Sequence, residues 1–227
     1  MHAPQAPDSQ RRFERKLAAP DFPCAGAKAA LARGSLHFQA GGSLLSDAHD
    51  ARLIEGLQRF AEEQPEDAVF VTHAILFPET PRLDEAAFEA ALWSRVQALH
   101  ALDRLRFDWD PTVSSDPQSP HFSLSLGGRA FFVIGLHPGA SRSSRRFDTT
   151  ALVFNLHSQF ETLRDSGRYD KLRKTILERD AAYSGSPNEM LAVHGEQSEA
   201  RQYSGREVSE DWRCPFAPGA GDGARAH

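Results

Sequence analysis

A chain of 227 residues, 40% hydrophobic and 25% charged, has the ordinary make-up of a globular protein and enough length to bury one sizeable core, which argues against a disordered or fibrous chain. The net charge of −5 and a pI near 6.1 speak against nucleic acid as a partner, because neutralising phosphates usually needs a basic surface. The longest apolar runs, residues 68–77 and 130–136, fall well short of the roughly 20 residues that cross a bilayer, and residues 1–10 hold no apolar stretch of the signal-peptide kind. A cytoplasmic protein with no membrane partner is expected; the sequence does not set its oligomeric state.

In chain order, residues 1–12 and 219–227 read as flexible tails around a single domain spanning 13–218, since both ends are rich in Ala, Gly, Pro and charge. Residues 24–33 form an alanine-rich helix stopped at Gly34, and 35–40 alternate like a strand that ends at Gly41-Gly42. A helix begins near Asp47, with Leu53, Ile54, Leu57 and Phe60 on one face. Residues 68–77, rich in β-branched and aromatic side chains, read as a central strand. The helix over 84–105 carries Phe88, Leu92, Val96 and Leu99 on a stripe, with Trp93 beside it. Residues 122–126 and 130–136 form a hairpin about Gly127-Gly128, a pair that supplies the positive φ angles of a tight turn. A short strand over 151–154 and helices near 157–165 and 169–182 lead into an irregular carboxyl region. The order predicts an α+β (mixed α/β) domain whose partly antiparallel sheet is covered by helices.

No phosphate-binding loop, dinucleotide glycine fingerprint, His-Glu-x-x-His helix or Cys-x-x-Cys pair is present. Four polar clusters remain. Residues 136–146 follow a buried strand and carry His137, Arg142, Arg145 and Arg146 among serines; guanidinium groups grip carboxylates, and a neutral imidazole ligates iron. A solvated basic turn capped by a histidine accounts for them equally well. His157 sits where a helix starts, free as a ligand or simply a cap. Residues 194–205 gather His194, Glu196, Glu199, Arg201, Gln202 and Tyr203, a set able to hold a cationic or amide-bearing ligand or to form a charged surface loop. Phe22-Pro23-Cys24 and Cys214-Pro215-Phe216 place the only two cysteines beside prolines and phenylalanines, as plain core thiols or as thiolate ligands to heme beside an apolar wall. Reduced thiols are expected, the two being far apart in the chain.

Taken together, Phe22-Pro23-Cys24 with its alanine-rich helix, Gly135-Leu136-His137-Pro138 running into Ser141-Arg142-Ser143-Ser144-Arg145, Phe154-Asn155-Leu156-His157 with Gln159-Phe160, and 198–205 leading to Trp212-Arg213-Cys214-Pro215-Phe216 resemble the YqcI/YcgG family, most closely its YcgG-type branch. Members of that family bind heme b and hydroxylate guanidine or amine nitrogens. The resemblance therefore implies a heme-dependent N-oxygenase that uses iron, dioxygen, an external electron donor or electron-transfer partner, and a small-molecule guanidine or amine substrate. His137 is the first candidate for the axial iron ligand, with Arg142 and Arg145 for the propionates. Cys24 is the second, and a thiolate there would favour O–O cleavage. His157 and His194 then serve as distal groups or caps, Glu196 and Glu199 receive the substrate cation, and Tyr203 or Gln202 orients it. Two other readings stand: a heme-sensing protein without turnover, suggested by Cys214-Pro215, and a non-heme metal enzyme using His137, His157 and a carboxylate.

Overall fold

The computed structural model describes residues 7–188, 190 and 196–219. In chain order these form α1 (Asp8–Ala18), α2 (Ala25–Arg33), β1 (Leu36–Ala40), α3 (Asp50–Glu63), β2 (Thr72–Phe77), α4 (Glu85–Asp103), β3 (Leu124–Leu126), β4 (Arg129–Leu136), β5 (Thr150–Leu156), α5 (Ser158–Asp165), α6 (Tyr169–Ser184) and α7 (Ala200–Tyr203). The five strands make one open sheet in the order β1-β2-β5-β4-β3; β1 and β2 are parallel and joined through α3, and every other neighbouring pair is antiparallel. This is the mixed α and β single domain expected.

The middle of the sheet is buried on both faces, every residue of β2 and nearly all of β5 being buried, while the edge strand β1 is partly exposed. Side chains alternate across the pleat. Phe131 and Val133 of β4 join α3, α4 and α7 in one core, whereas Leu136 and the partly buried Ile134 join α1 and α2 in the other. Gly135 lets α4 approach closely: a Cβ there would meet the Phe88 ring at 2.7 Å and Leu92 at 2.9 Å. α4 starts where the Asp84 carboxylate accepts from Ala87 N at 2.8 Å. Gly127 and Gly128 take φ of 61° and 70° in the hairpin, as the turn requires.

Strand β3 pairs with β4 only as far as Leu124 opposite Phe131, which leaves the rest of β4 without a strand neighbour on that edge. α7 packs there. Tyr203 Oη lies 3.0 Å from Phe131 O, and the Arg145 guanidinium donates to Gly135 O at 3.1 Å. The segment after α7 is held to α4 by Glu89, which accepts from Ser204 Oγ at 3.2 Å and from Arg206 Nε at 2.8 Å.

Three expectations shift. Residues 8–12 belong to α1 and not to a loose tail, because Phe13 and Leu17 one turn apart anchor that helix in the core. The helix expected from Asp47 begins at Asp50 instead, whose buried carboxylate is claimed by the Arg95 guanidinium. The central strand opens at Thr72 and not at 68, because Phe70 adopts φ of 60° and breaks the extended run.

Candidate functional site

Between the sheet and the layer made by α1, α2, α5 and α6 lies a cavity of about 320 Å³, inside the range of roughly 300–1,000 Å³ typical of ligand sites. Its floor is the face of β4 and β5 that carries Phe132, Ile134, Leu136 and Val153, and its roof is the apolar stripe Leu172, Ile176 and Leu177 of α6. A mostly apolar enclosure like this suits a flat hydrophobic ligand held by a few placed polar groups.

Cys24 is one of those groups. It is the N-cap of α2, its Sγ accepting from Ala27 N at 3.4 Å, and it is partly buried on the cavity wall. Burial pushes its thiol pKa up, opposed by the backbone N–H groups of Ala27 and Gly26 and by the charge of Arg145. The helix terminus and the cation thus favour a thiolate as soon as something else offsets its desolvation.

The arginines divide their work. Arg142 pairs with the buried Asp180, Nε to Oδ2 at 2.8 Å, and also donates to Ser186 O at 2.9 Å. Arg146 donates to Ala140 O and Ser141 O and holds its own loop closed. Of these three, Arg145 lines the cavity, bonded to the backbone carbonyls Gly135 O, Gln202 O at 3.0 Å and Tyr203 O at 3.4 Å. Among the described residues no carboxylate hydrogen-bonds it, and burial lowers its pKa to about 10. With Asp180 already matched by Arg142, Arg145 leaves a surplus positive charge beside Cys24, and a buried charge of this kind calls for an anionic partner.

At the other end, Glu199 and Gln202 face the cavity. Glu199 Oε1 is bonded by Ser123 Oγ at 2.6 Å and lies 2.7 Å from Tyr203 Oη, and burial raises its pKa to about 8. Tyr203 is fully enclosed one layer behind, its phenol pKa raised by burial and by Glu199. His157 precedes α5 and lines the cavity, its Nδ1 3.8 Å from Glu161. Glu196 is exposed and outside the cavity lining, and His194 lies outside the described residues.

His137 is placed elsewhere. Following Phe131, Val133 and Gly135 at period two, it points to the α4 side and stacks on Phe88 with ring centroids 4.0 Å apart. It is 1% exposed, burial lowers its pKa, and it is not part of the cavity wall. The first axial candidate is therefore separated from the cavity by the sheet, whereas the second, Cys24, faces it. The same separation keeps His137 from joining His157 at a metal, and among the described residues no group of three or more His, Cys, Asp or Glu is placed to hold one. Cys214 belongs to the α4 core, with its pKa pushed up to about 12 by burial. Both cysteines are free thiols, as expected.

The cavity wall also includes Phe70, whose left-handed backbone sequence reading did not reveal. Gln159 braces it, accepting from Phe70 N at 3.0 Å and donating to Val71 O at 3.2 Å, while Ser35 Oγ donates to Phe70 O at 2.6 Å. Gln159→Ala strands two buried backbone groups and is expected to lower the unfolding free energy by about 2 kcal/mol in urea titration. A change below about 0.5 kcal/mol would mean that the brace carries no strain.

A cavity of ligand size thus lies between a mixed sheet and a helical layer, with a thiol and a guanidinium on its wall. The model of the YqcI/YcgG family matches residues 13–217, and the chain belongs to that family. No curated protein and no solved structure matches it significantly. Among the described residues no helix is long and apolar enough to cross a membrane.

Proposed function

We propose that the protein is a heme-dependent oxygenase that hydroxylates a guanidine or amine nitrogen of a small molecule, with Cys24 as the protein ligand to iron. One observation carries this reading: Cys24 stands at a helix N-terminus on the wall of the apolar cavity, beside the partly buried Arg145 guanidinium, to which no carboxylate hydrogen-bonds among the described residues. The residues fit such a group. Phe22, Phe132 and Ile134 offer apolar walls to a macrocycle, and Arg145 offers a cation to a thiolate or a propionate. When bound, a thiolate-held heme supplies dioxygen activation, drawing electrons from an external donor.

The chain's own groups account for the rest. The Ala27 and Gly26 N–H groups and the Arg145 charge oppose the burial that raises the Cys24 pKa, and would steady the sulfur as thiolate once a bound cation offset the rest of its desolvation. The apolar roof of α6 keeps water from the reacting nitrogen. Glu199 receives the cationic end of the substrate; as the cation arrives, the raised pKa of the carboxyl falls and it ionises, so charge enters the cavity already paired. Gln202, adjacent on the wall, supplies an amide to orient the guanidinium. Arg142 serves by holding Asp180, and thereby α6, in place.

The test is to titrate the purified chain with hemin and then supply reductant, dioxygen and a panel of guanidines and amines. About one equivalent bound with a Soret band, followed by products one oxygen heavier, is expected. Failure to take up hemin overturns the reading. Hemin binding with no oxygenated product from any guanidine or amine favours the non-catalytic heme-sensing alternative, whose suggested ligand Cys214 lies away from the cavity.

A further inference from the structure

Behind the polar end of the cavity, redox-active rings continue outward in contact. Tyr203 is hydrogen-bonded to the cavity-lining Glu199 and meets the cavity-lining Phe132 edge to face at 5.7 Å. On its other side it stacks on Trp93, centroids 5.5 Å apart and planes 18° from parallel. Trp93 is followed by Trp212 at 6.4 Å, and Trp212 is half-exposed. The chain has three tyrosines and three tryptophans, and half of them line up on this one path. Packing alone asks only for bulk at these positions; Phe would supply it without the orphan indole N–H that Trp93 buries.

We propose that Tyr203, Trp93 and Trp212 form a relay that carries single electrons between the cavity and the protein surface. A one-electron oxidant generated in the cavity from dioxygen or peroxide withdraws an electron from Tyr203. The phenol O–H bond breaks and its proton crosses to Glu199, which is a carboxylate once a substrate cation is bound or the pH exceeds about 8. Trp93 then gives one electron to the phenoxyl radical while Glu199 returns the proton, restoring Tyr203 and leaving an indole radical cation. Nothing traps it there, because among the described residues the Trp93 indole N–H has no hydrogen-bond acceptor.

Trp212 refills Trp93 with an electron. Being half-exposed, it sheds its N–H proton to water as it is oxidised, so the Arg201 guanidinium 5.9 Å from its ring does not hold the charge inside. A thiol or ascorbate in solution finally returns an electron and a proton to Trp212. In sum, one external reductant is oxidised and one cavity oxidant is reduced. Trp109 stands off the path, because the rings that join it to Tyr203 and Trp93 are those of Phe122 and Phe216, which are not readily oxidised.

The relay rests on the proposed oxygenase reading only for the source of its oxidant, and it can be tested without heme by running it inward. Azide radicals, produced by pulse radiolysis at a pH above the Glu199 pKa of about 8, oxidise exposed indoles in preference to phenols. The indolyl absorption is expected to decay, and the phenoxyl absorption to grow, with one first-order rate independent of protein concentration. Tyr203→Phe abolishes the growth, and Trp93→Phe and Trp212→Phe each slow it at least about tenfold. Tyr169→Phe, Tyr183→Phe and Trp109→Phe leave it unchanged. Phenoxyl growth persisting in Tyr203→Phe, or a wild-type rate in Trp93→Phe, overturns the relay. Should Tyr203→Phe fail to fold by circular dichroism, the Trp93 and Trp212 variants decide alone. Hemin titration reports separately on the oxygenase reading.

Discussion

Cys24→Ala is expected to weaken hemin binding at least about tenfold, or about 1.4 kcal/mol, while His137→Ala leaves hemin affinity unchanged. The sheet separates the two side chains: Cys24 faces the cavity and His137 stacks on Phe88 toward α4. His137→Ala removes that stacked ring and costs stability by opening a hole in the α4 core, a change that chemical denaturation reads and hemin titration does not. The ferrous–CO complex of the wild type should show the strongly red-shifted Soret band of a thiolate, and that band should disappear in Cys24→Ala. Loss of hemin binding in His137→Ala with native spectra in Cys24→Ala would return the ligand to the strand end and break the proposed assignment.

Glu199→Gln is expected to make the protein markedly more stable than the wild type at pH 8 and to change little at pH 4.5. The Glu199 carboxyl has a pKa of about 8 in the folded chain, against 4.5 as its ordinary value. Below about pH 4.5 both folded and unfolded chains hold the proton, so the stability linked to this group is fully present. As pH rises toward 8 only the unfolded chain releases it, and that stability is progressively lost; above 8 the folded form ionises too and the loss levels off. Over this window the wild type should fall relative to Glu199→Gln by on the order of 4 kcal/mol, measured from urea midpoints. Glutamine retains an oxygen to accept from Ser123 and Tyr203, so the difference isolates the titration. Parallel stability curves across that range would show that the carboxyl titrates alike in both states.

Most elements of this fold were legible because each carries its period in its own residues. The stripe Phe88, Leu92, Val96, Leu99 and the Gly127-Gly128 turn needed no partner to be recognised. The site was only half legible. Cys24, Arg145, His157, Glu199 and Gln202 were all singled out and do meet at one cavity. His137 was misplaced because β4 is apolar on both faces, so hydrophobicity does not say which parity faces the ligand; the helices packed on each side decide that. Arg142 looked equivalent to Arg145 until Asp180, distant in sequence, claimed it. The left-handed Phe70 gave no signal at all, since its conformation is imposed by Gln159 and Ser35 and not by its own side chain. α7 was too short to announce itself by periodicity.

The pairing of β2 with β5, from Phe77 opposite Thr150 to Thr72 opposite Asn155, sets the order of events on the ribosome. Until β5 has been translated, β2 has only β1 beside it and its other edge is open, a condition that makes nascent chains prone to aggregate or to need a chaperone. The cavity closes later still, because its wall draws on Phe13 near one end of the described chain and on Gln202 near the other. The wall is therefore complete only once Gln202 has been translated, and its assembly depends on contacts between residues far apart in the chain.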